Sequence, residues 1–161
     1  MKTSRDSFSV DIVLRHPTHS PESISAALLL RPQASWPVGE NLGRAHAKWS
    51  FFYGRLLDGV ASVDYQAALK NVSRFLRKND AFWADFMGGK GEVELILNHT
   101  VSQCEAGDEC FESHLSPAFL RALSAREIGL RVQGWQRSVR KNSPKKRAVW
   151  DEGGRPQTVW R

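Results

Sequence analysis

The sequence has little of what normally identifies an enzyme, a secreted protein or a membrane protein. Its 161 residues contain only two cysteines, too few for the disulfide framework of a small secreted domain. The longest useful apolar run, residues 26–30, is far shorter than the roughly 20 residues that span a bilayer. The amino-terminal residues alternate between polar and apolar side chains and lack the apolar region of a signal peptide. We therefore expect a cytoplasmic protein that does not bind a membrane.

Motifs of nucleotide binding and covalent catalysis are missing as well. The run Gly88-Gly89-Lys90-Gly91 lacks the GK[ST] ending of a phosphate-binding loop, and it precedes a predicted strand where such loops lead into a helix. Neither cysteine is next to a basic residue that would favour the reactive thiolate. We expect no cofactor and no catalytic residues, and an enzyme is the least favoured of three function classes.

The stretch HTVSQCEAGDECFESH, residues 99–114, combines two histidines and two cysteines, which are the side chains that bind zinc. Their spacing differs from the short Cys-x2-4-Cys turn of structural zinc sites, and acidic residues crowd the interval. We expect a solvated loop without a metal ion. A disulfide between the two cysteines and a zinc site are the alternatives. The ligands of that zinc site would be His99, Cys104, Cys110 and His114.

Alternation of apolar and polar residues predicts four strands, over about residues 8–14, 48–53, 91–98 and 130–135. Three of them have one apolar and one largely polar face, which is typical of a sheet covered by helices on one side. We therefore predict an α+β fold with a four- or five-stranded, mostly antiparallel sheet and helices on one face. Residues 33–47 are predicted to be a polar, glycine-containing connection.

Helical spacing of apolar residues and capping residues predict the helices. Ser20-Pro21 and Ser116-Pro117 each combine a good N-cap with a proline suited to the first helical position. The first of these helices is expected to end at Pro32. Two more helices are predicted, one after Asp64 and one capped by Asp80.

Large apolar residues on these elements define the expected core. Trp83 and Trp135 are expected to be buried, and Trp36 is expected to close one edge of the sheet. The other residues that we expect to be buried are Leu28, Trp49, Leu69, Phe75, Leu95 and Leu123.

The net charge of +6 lies entirely in the carboxy-terminal tail. Residues 1–135 contain 15 basic and 15 acidic residues, whereas residues 136–161 contain eight basic and two acidic residues. We predict one domain over 1–135 and a basic, flexible extension over 136–161 that carries any affinity for polyanions. Its expected partner-binding residues are Arg137, Arg140, Lys141, Lys145, Lys146, Arg147, Trp150 and Trp160.

Several motifs resemble those of one protein family. They are the run SPESISAALLLRPQASWPVGE, the segments KWSFFY and GEVELIL, the helix start SPAFLRAL and the closing GLRVQGW. Over roughly residues 8–135 they are similar to the uncharacterised bacterial family called domain of unknown function 4279. The resemblance implies a fold type and no catalytic residues. The cysteine-bearing loop departs from the family's glycine-rich connection, which leaves the role of this loop open.

Two functions fit these observations. The first is a non-enzymatic protein-binding module of the adaptor or immunity type, which binds an unknown protein through the polar sheet face, the 99–114 loop or the tail. The alternative is a nucleic-acid-associated protein that uses the basic tail.

Overall fold

The structure is a computed structural model that describes residues 7–43, 45–61, 64–102, 114–137, 147–150 and 156–159. Its strands are β1 (Ser7–His16), β2 (Pro32–Trp36), β3 (Ser50–Ala61), β4 (Glu92–Ser102), β5 (Gly129–Arg137), β6 (Arg147–Trp150) and β7 (Pro156–Val159). Its helices are α1 (Pro21–Leu28), α2 (Tyr65–Lys78), α3 (Asp80–Gly88) and α4 (Pro117–Ser124). No helix within the described part of the chain is long and apolar enough to cross a membrane.

The main sheet has five strands in the order β2-β3-β1-β4-β5. All neighbouring pairs are antiparallel except β4 and β5, which run parallel and are connected through α4. The predicted α+β fold with a mostly antiparallel sheet is therefore confirmed. The pair β6 and β7 forms a separate two-stranded sheet within the carboxy-terminal tail.

Strand β1 lies at the centre of the sheet because its alternate residues are strongly apolar. Phe8, Val10, Ile12 and Leu14 form one buried row, which packs with apolar residues of all four helices. The side chains between them belong to the opposite face, which we call the outer face. Leu28, Leu69, Leu95 and Leu123 are buried as predicted, whereas Phe75 is only partly buried.

The caps predicted for α1 and α4 are confirmed. The Ser20 hydroxyl accepts a hydrogen bond from the Ser23 amide, and the Ser116 hydroxyl accepts one from the Phe119 amide. The prediction that Pro32 ends α1 is wrong, since Leu29 ends this helix in the left-handed conformation with φ 56°. Asp80 does not cap α3 either. It is the first residue of that helix and follows Asn79.

Strand β2 was not predicted, because its sequence PQASW has no alternation of apolar residues. All of its residues except Trp36 are exposed, as suits a short strand at the edge of a sheet. Its pairing partner is β3, whose aromatic residues are opposite it. Pairing with β3 therefore makes this segment a strand, and the local sequence of β2 does not predict it.

The turn after β1 depends on a buried histidine. The Nδ1 atom of His16 accepts hydrogen bonds from the backbone amides of Thr18 and His19, at 3.0 and 2.9 Å. The His16 ring also lies against Gly89, where an added Cβ would be 2.5 Å from Nε2. This histidine fixes the chain just before Ser20 and so helps to position the start of α1.

Candidate functional site

Two of the four residues of the possible zinc site, His99 and His114, belong to the described part of the chain. His99 lies on β4 with 8% of its surface exposed, and its ring stacks on Phe8 and packs against Tyr65. Burial lowers the pKa of His99 to about 4, so its ring is neutral at physiological pH. His114 is exposed just before α4, and its carbonyl oxygen accepts a hydrogen bond from the Gln66 side chain.

Cys104 and Cys110 lie outside the described residues, so the expected loop stays a prediction. Among the described residues, no three histidine, cysteine, aspartate or glutamate side chains lie close enough together to hold a metal ion.

The expected partner-binding residues of the tail are described only in part. Arg137 ends β5, and Arg147 and Trp150 are the first and last residues of β6. The others, Arg140, Lys141, Lys145, Lys146 and Trp160, lie outside the described residues.

A cleft of about 330 Å³ lies where β2, β3 and β1 meet on the outer face. Three aromatic residues line it, Trp36, Trp49 and Phe51, together with the cations Arg15 and Lys48. We call this group the aromatic cleft. Its remaining lining residues are Leu42, Ala47, Ser50 and Glu92.

Pairing of the strands positions the centre of the aromatic cleft. Trp36 of β2 is opposite Phe51 of β3, and their rings stack with centroids 4.0 Å apart. Arg15 of β1 is opposite Phe51 on the other side, with its guanidinium carbon 5.9 Å from the ring centroid. Three neighbouring strands thus hold a cation and two aromatic rings in one row.

Trp49, like Phe75, was predicted to be buried and is not fully buried. It is only partly buried because β3 begins at Ser50, whose buried hydroxyl shares its one proton between the carbonyl oxygens of His16 and His19. This places Phe52 in the core, and Phe51 on the outer face beside Trp49. The sequence shows that this segment is aromatic. Which of its rings line the cleft depends on which alternate residues of β3 face the core.

The connection from β2 to β3 closes one side of the cleft. The Gly39 amide donates to the Ala47 carbonyl at 2.7 Å, and the Ala47 amide donates to the Glu40 carbonyl at 2.8 Å. Gly39 has φ 84°, a conformation that favours glycine. Leu42 lies within this connection with 52% of its surface exposed and lines the cleft beside the aromatic residues.

A buried carboxylate stiffens the outer face next to the cleft. Asp11, with 1% of its surface exposed, accepts hydrogen bonds from the Tyr53 hydroxyl, the Arg55 Nε and the Asn98 amide at 2.6, 2.8 and 2.7 Å. Burial and the hydrogen bond to Asp11 raise the pKa of Tyr53. The network joins β3, β1 and β4 through side chains and so stabilises the pairing of these strands.

Comparison of the chain with protein-family models, curated proteins and solved structures finds no match. The resemblance to the domain of unknown function 4279 family therefore stays a prediction.

Proposed function

We propose that the protein is a non-enzymatic protein-binding module of the adaptor or immunity type, and that the aromatic cleft is the centre of its binding surface. The observation that supports this best is the row of Arg15, Phe51 and Trp36, which two β-strand pairings hold in place. Tryptophan and arginine are the residues that most often dominate the binding energy of protein interfaces. Rings held by a sheet lose little conformational entropy on binding.

The charges of the cleft favour a protein partner over a nucleic acid at this place. Arg15 is 3.6 Å from the Glu92 carboxylate, so these two charges largely cancel for a ligand. Lys48 is then the excess charge of the cleft. A partner that offers an aliphatic or aromatic side chain, with a carboxylate beside it for Lys48, matches this surface. A phosphate backbone needs several uncompensated cations.

The test begins with proteins captured by the tagged full chain from an extract of its own cells, with and without nuclease. Each captured protein is purified, and its Kd is measured against the wild type and the variants Trp36→Ala and Trp49→Ala. We expect each variant to bind at least about tenfold more weakly, as for aromatic residues at the centre of an interface. The matched control is Leu120→Ala, which removes a partly exposed apolar side chain from α4.

Unchanged melting temperatures are required of all variants, because Trp36 also packs on Phe51. The proposal is wrong if folded Trp36→Ala and Trp49→Ala bind every captured protein as tightly as the wild type. Capture that disappears entirely with nuclease would instead support the nucleic-acid alternative.

A further inference from the structure

Helices α2 and α4 contain a concentration of positive charge that the sequence count conceals. Helix α2 contains Lys70, Arg74, Arg77 and Lys78 and no acidic residue. Helix α4 and the turn after it add Arg121 and Arg126, and no acidic residue lies between positions 114 and 126. These segments therefore have a charge of +6 inside a body, residues 1–135, whose acidic and basic residues balance. Neutrality of the whole body does not prevent a strong local field.

Five of these six cations line one groove. Helices α2 and α4 lie side by side, and the groove between them has a volume of about 510 Å³. Lys70, Arg74 and Arg77 lie four and three residues apart, so they form one edge of the groove along about 10 Å of helix. Arg121 of α4 and Arg126 of the turn after it line the groove from the other side.

Most of these cations have no carboxylate partner. Arg126 donates to the Asp80 carboxylate at 2.6 Å and is largely buried. Arg74 donates to the neutral side chain of Asn71 at 2.9 Å. Within the described residues, no carboxylate forms an ion pair with Lys70, Arg74, Arg77 or Arg121. These four cations repel one another across the groove, and an anion bound between them would relieve that repulsion.

The two large apolar side chains in the floor of the groove are almost fully buried. Leu69 and Phe119 each expose 2% of their surface because they are already part of the core. The other residues of the floor are small or polar and include Ser73, Ala118 and Ala122. The surface between the cations is nevertheless mostly apolar, so the groove can hold the sugar rings of a ligand while the cations at its edges bind charged groups.

We propose that the groove between α2 and α4 binds the phosphate backbone of single-stranded nucleic acid. Phosphates have one charge at every nucleotide, and arginine presents a planar pair of donors that matches two phosphate oxygens. A single strand can follow the groove with its phosphates between the cations of both helices, whereas a rigid duplex brings only one edge of its backbone to them. Because Phe119 is buried, the groove offers no ring on which a base could stack, so binding should depend little on base sequence.

The test uses the full chain and fluorescence anisotropy with labelled 20-nucleotide DNA and RNA strands of mixed sequence, and with the matching duplex. The groove variant is Arg74→Ala/Arg121→Ala, which changes one exposed cation on each helix. We expect it to bind single strands at least about tenfold more weakly, and its slope of log K against log salt to be smaller by about 1.4. The control Arg31→Ala/Arg131→Ala removes the same charge at exposed positions outside the groove and should change the Kd less than about twofold.

A third variant, Lys145→Ala/Lys146→Ala, removes the same charge from the tail. It should weaken binding less than the groove variant does if the groove holds the strand. The proposal is overturned if the groove variant binds single strands like the control, if the tail variant accounts for the loss, or if the duplex binds more tightly than the single strand. Binding of polyglutamate but not of DNA or RNA would show that the groove recognises acidic protein instead. Trp36→Ala should leave strand binding unchanged, so failure here is distinct from failure at the aromatic cleft.

Discussion

Replacing Asp11 with alanine removes the carboxylate that joins three strands on the outer face. In the wild type this carboxylate accepts hydrogen bonds from Tyr53, Arg55 and Asn98 and is almost fully buried. Loss of one partner from a buried ion pair typically costs about 3–5 kcal/mol, because the remaining charge is left uncompensated. Arg55 is one-third exposed and also contacts Asp58 at 3.0 Å, so water and Asp58 reduce that cost. We expect Asp11→Ala to lower the free energy of unfolding by about 3 kcal/mol.

Urea denaturation followed by circular dichroism measures this change, and a loss of that size should lower the melting temperature by about 6–12 °C in a chain of this length. The matched control is Asp58→Ala, which removes a 71% exposed carboxylate from the same arginine and should cost less than about 1 kcal/mol. The double variant Asp11→Ala/Arg55→Ala should be less destabilised than the sum of its single variants, since it no longer contains the unpaired guanidinium. Equal costs for Asp11→Ala and Asp58→Ala would refute the structural role given to the network.

Two further predictions concern histidine and cysteine. Because the pKa of His99 is about 4 in the folded protein and about 6.5 when unfolded, the unfolded chain binds more protons between these values; the free energy of unfolding should therefore fall by up to about 3 kcal/mol as the pH drops from 6.5 to 4. Urea midpoints at pH 7 and pH 4.5 measure this fall. The fall should be smaller in His99→Phe, a variant that keeps a ring against Phe8. An equal fall in both proteins would show that His99 is not the group responsible for the pH dependence. Purified protein should contain no stoichiometric zinc, and a chelator should leave its melting temperature unchanged; bound zinc that disappears together with stability in Cys104→Ser would show a structural zinc site.

The main elements could be predicted from sequence because their patterns are local. Apolar alternation in β1 and β4 and helical spacing in α2 each report burial on one face, and the Ser-Pro pairs mark where α1 and α4 begin. The order of the strands in the sheet could not be predicted from local sequence patterns. The parallel pairing of β4 with β5 depends on the crossover through α4, and no short window of sequence specifies it.

The aromatic cleft was missed for a more specific reason. The run Lys48-Trp49-Ser50-Phe51-Phe52-Tyr53 predicts a strand, but three aromatic residues follow one another at its end, so alternation does not reveal the inward face. A shift of one residue in the pairing register of β3 would turn every inward side chain outward and every outward side chain inward. The buried hydrogen bonds of Ser50 fix the face in the structure, and they depend on carbonyl groups more than thirty positions earlier.

Charge presents the same difficulty in another form. Summing residues 1–135 gives zero and predicts a body without a field, since a sum over sequence ignores position. The fold places the cations of α2 beside Arg121 of α4, whereas Glu92 and Glu94 of the sheet pair with Arg15 and Arg131, so the unpaired positive charge is concentrated at the groove. The helices pack on the face of β1 formed by Phe8 and Ile12, whereas Trp36 and Phe51 belong to the outer face. Because the sheet separates the groove from the aromatic cleft, the Arg74→Ala/Arg121→Ala variant should retain protein binding and the Trp36→Ala variant should retain strand binding. A single variant that abolished both activities would instead indicate that the fold itself had been lost, which its melting temperature would reveal.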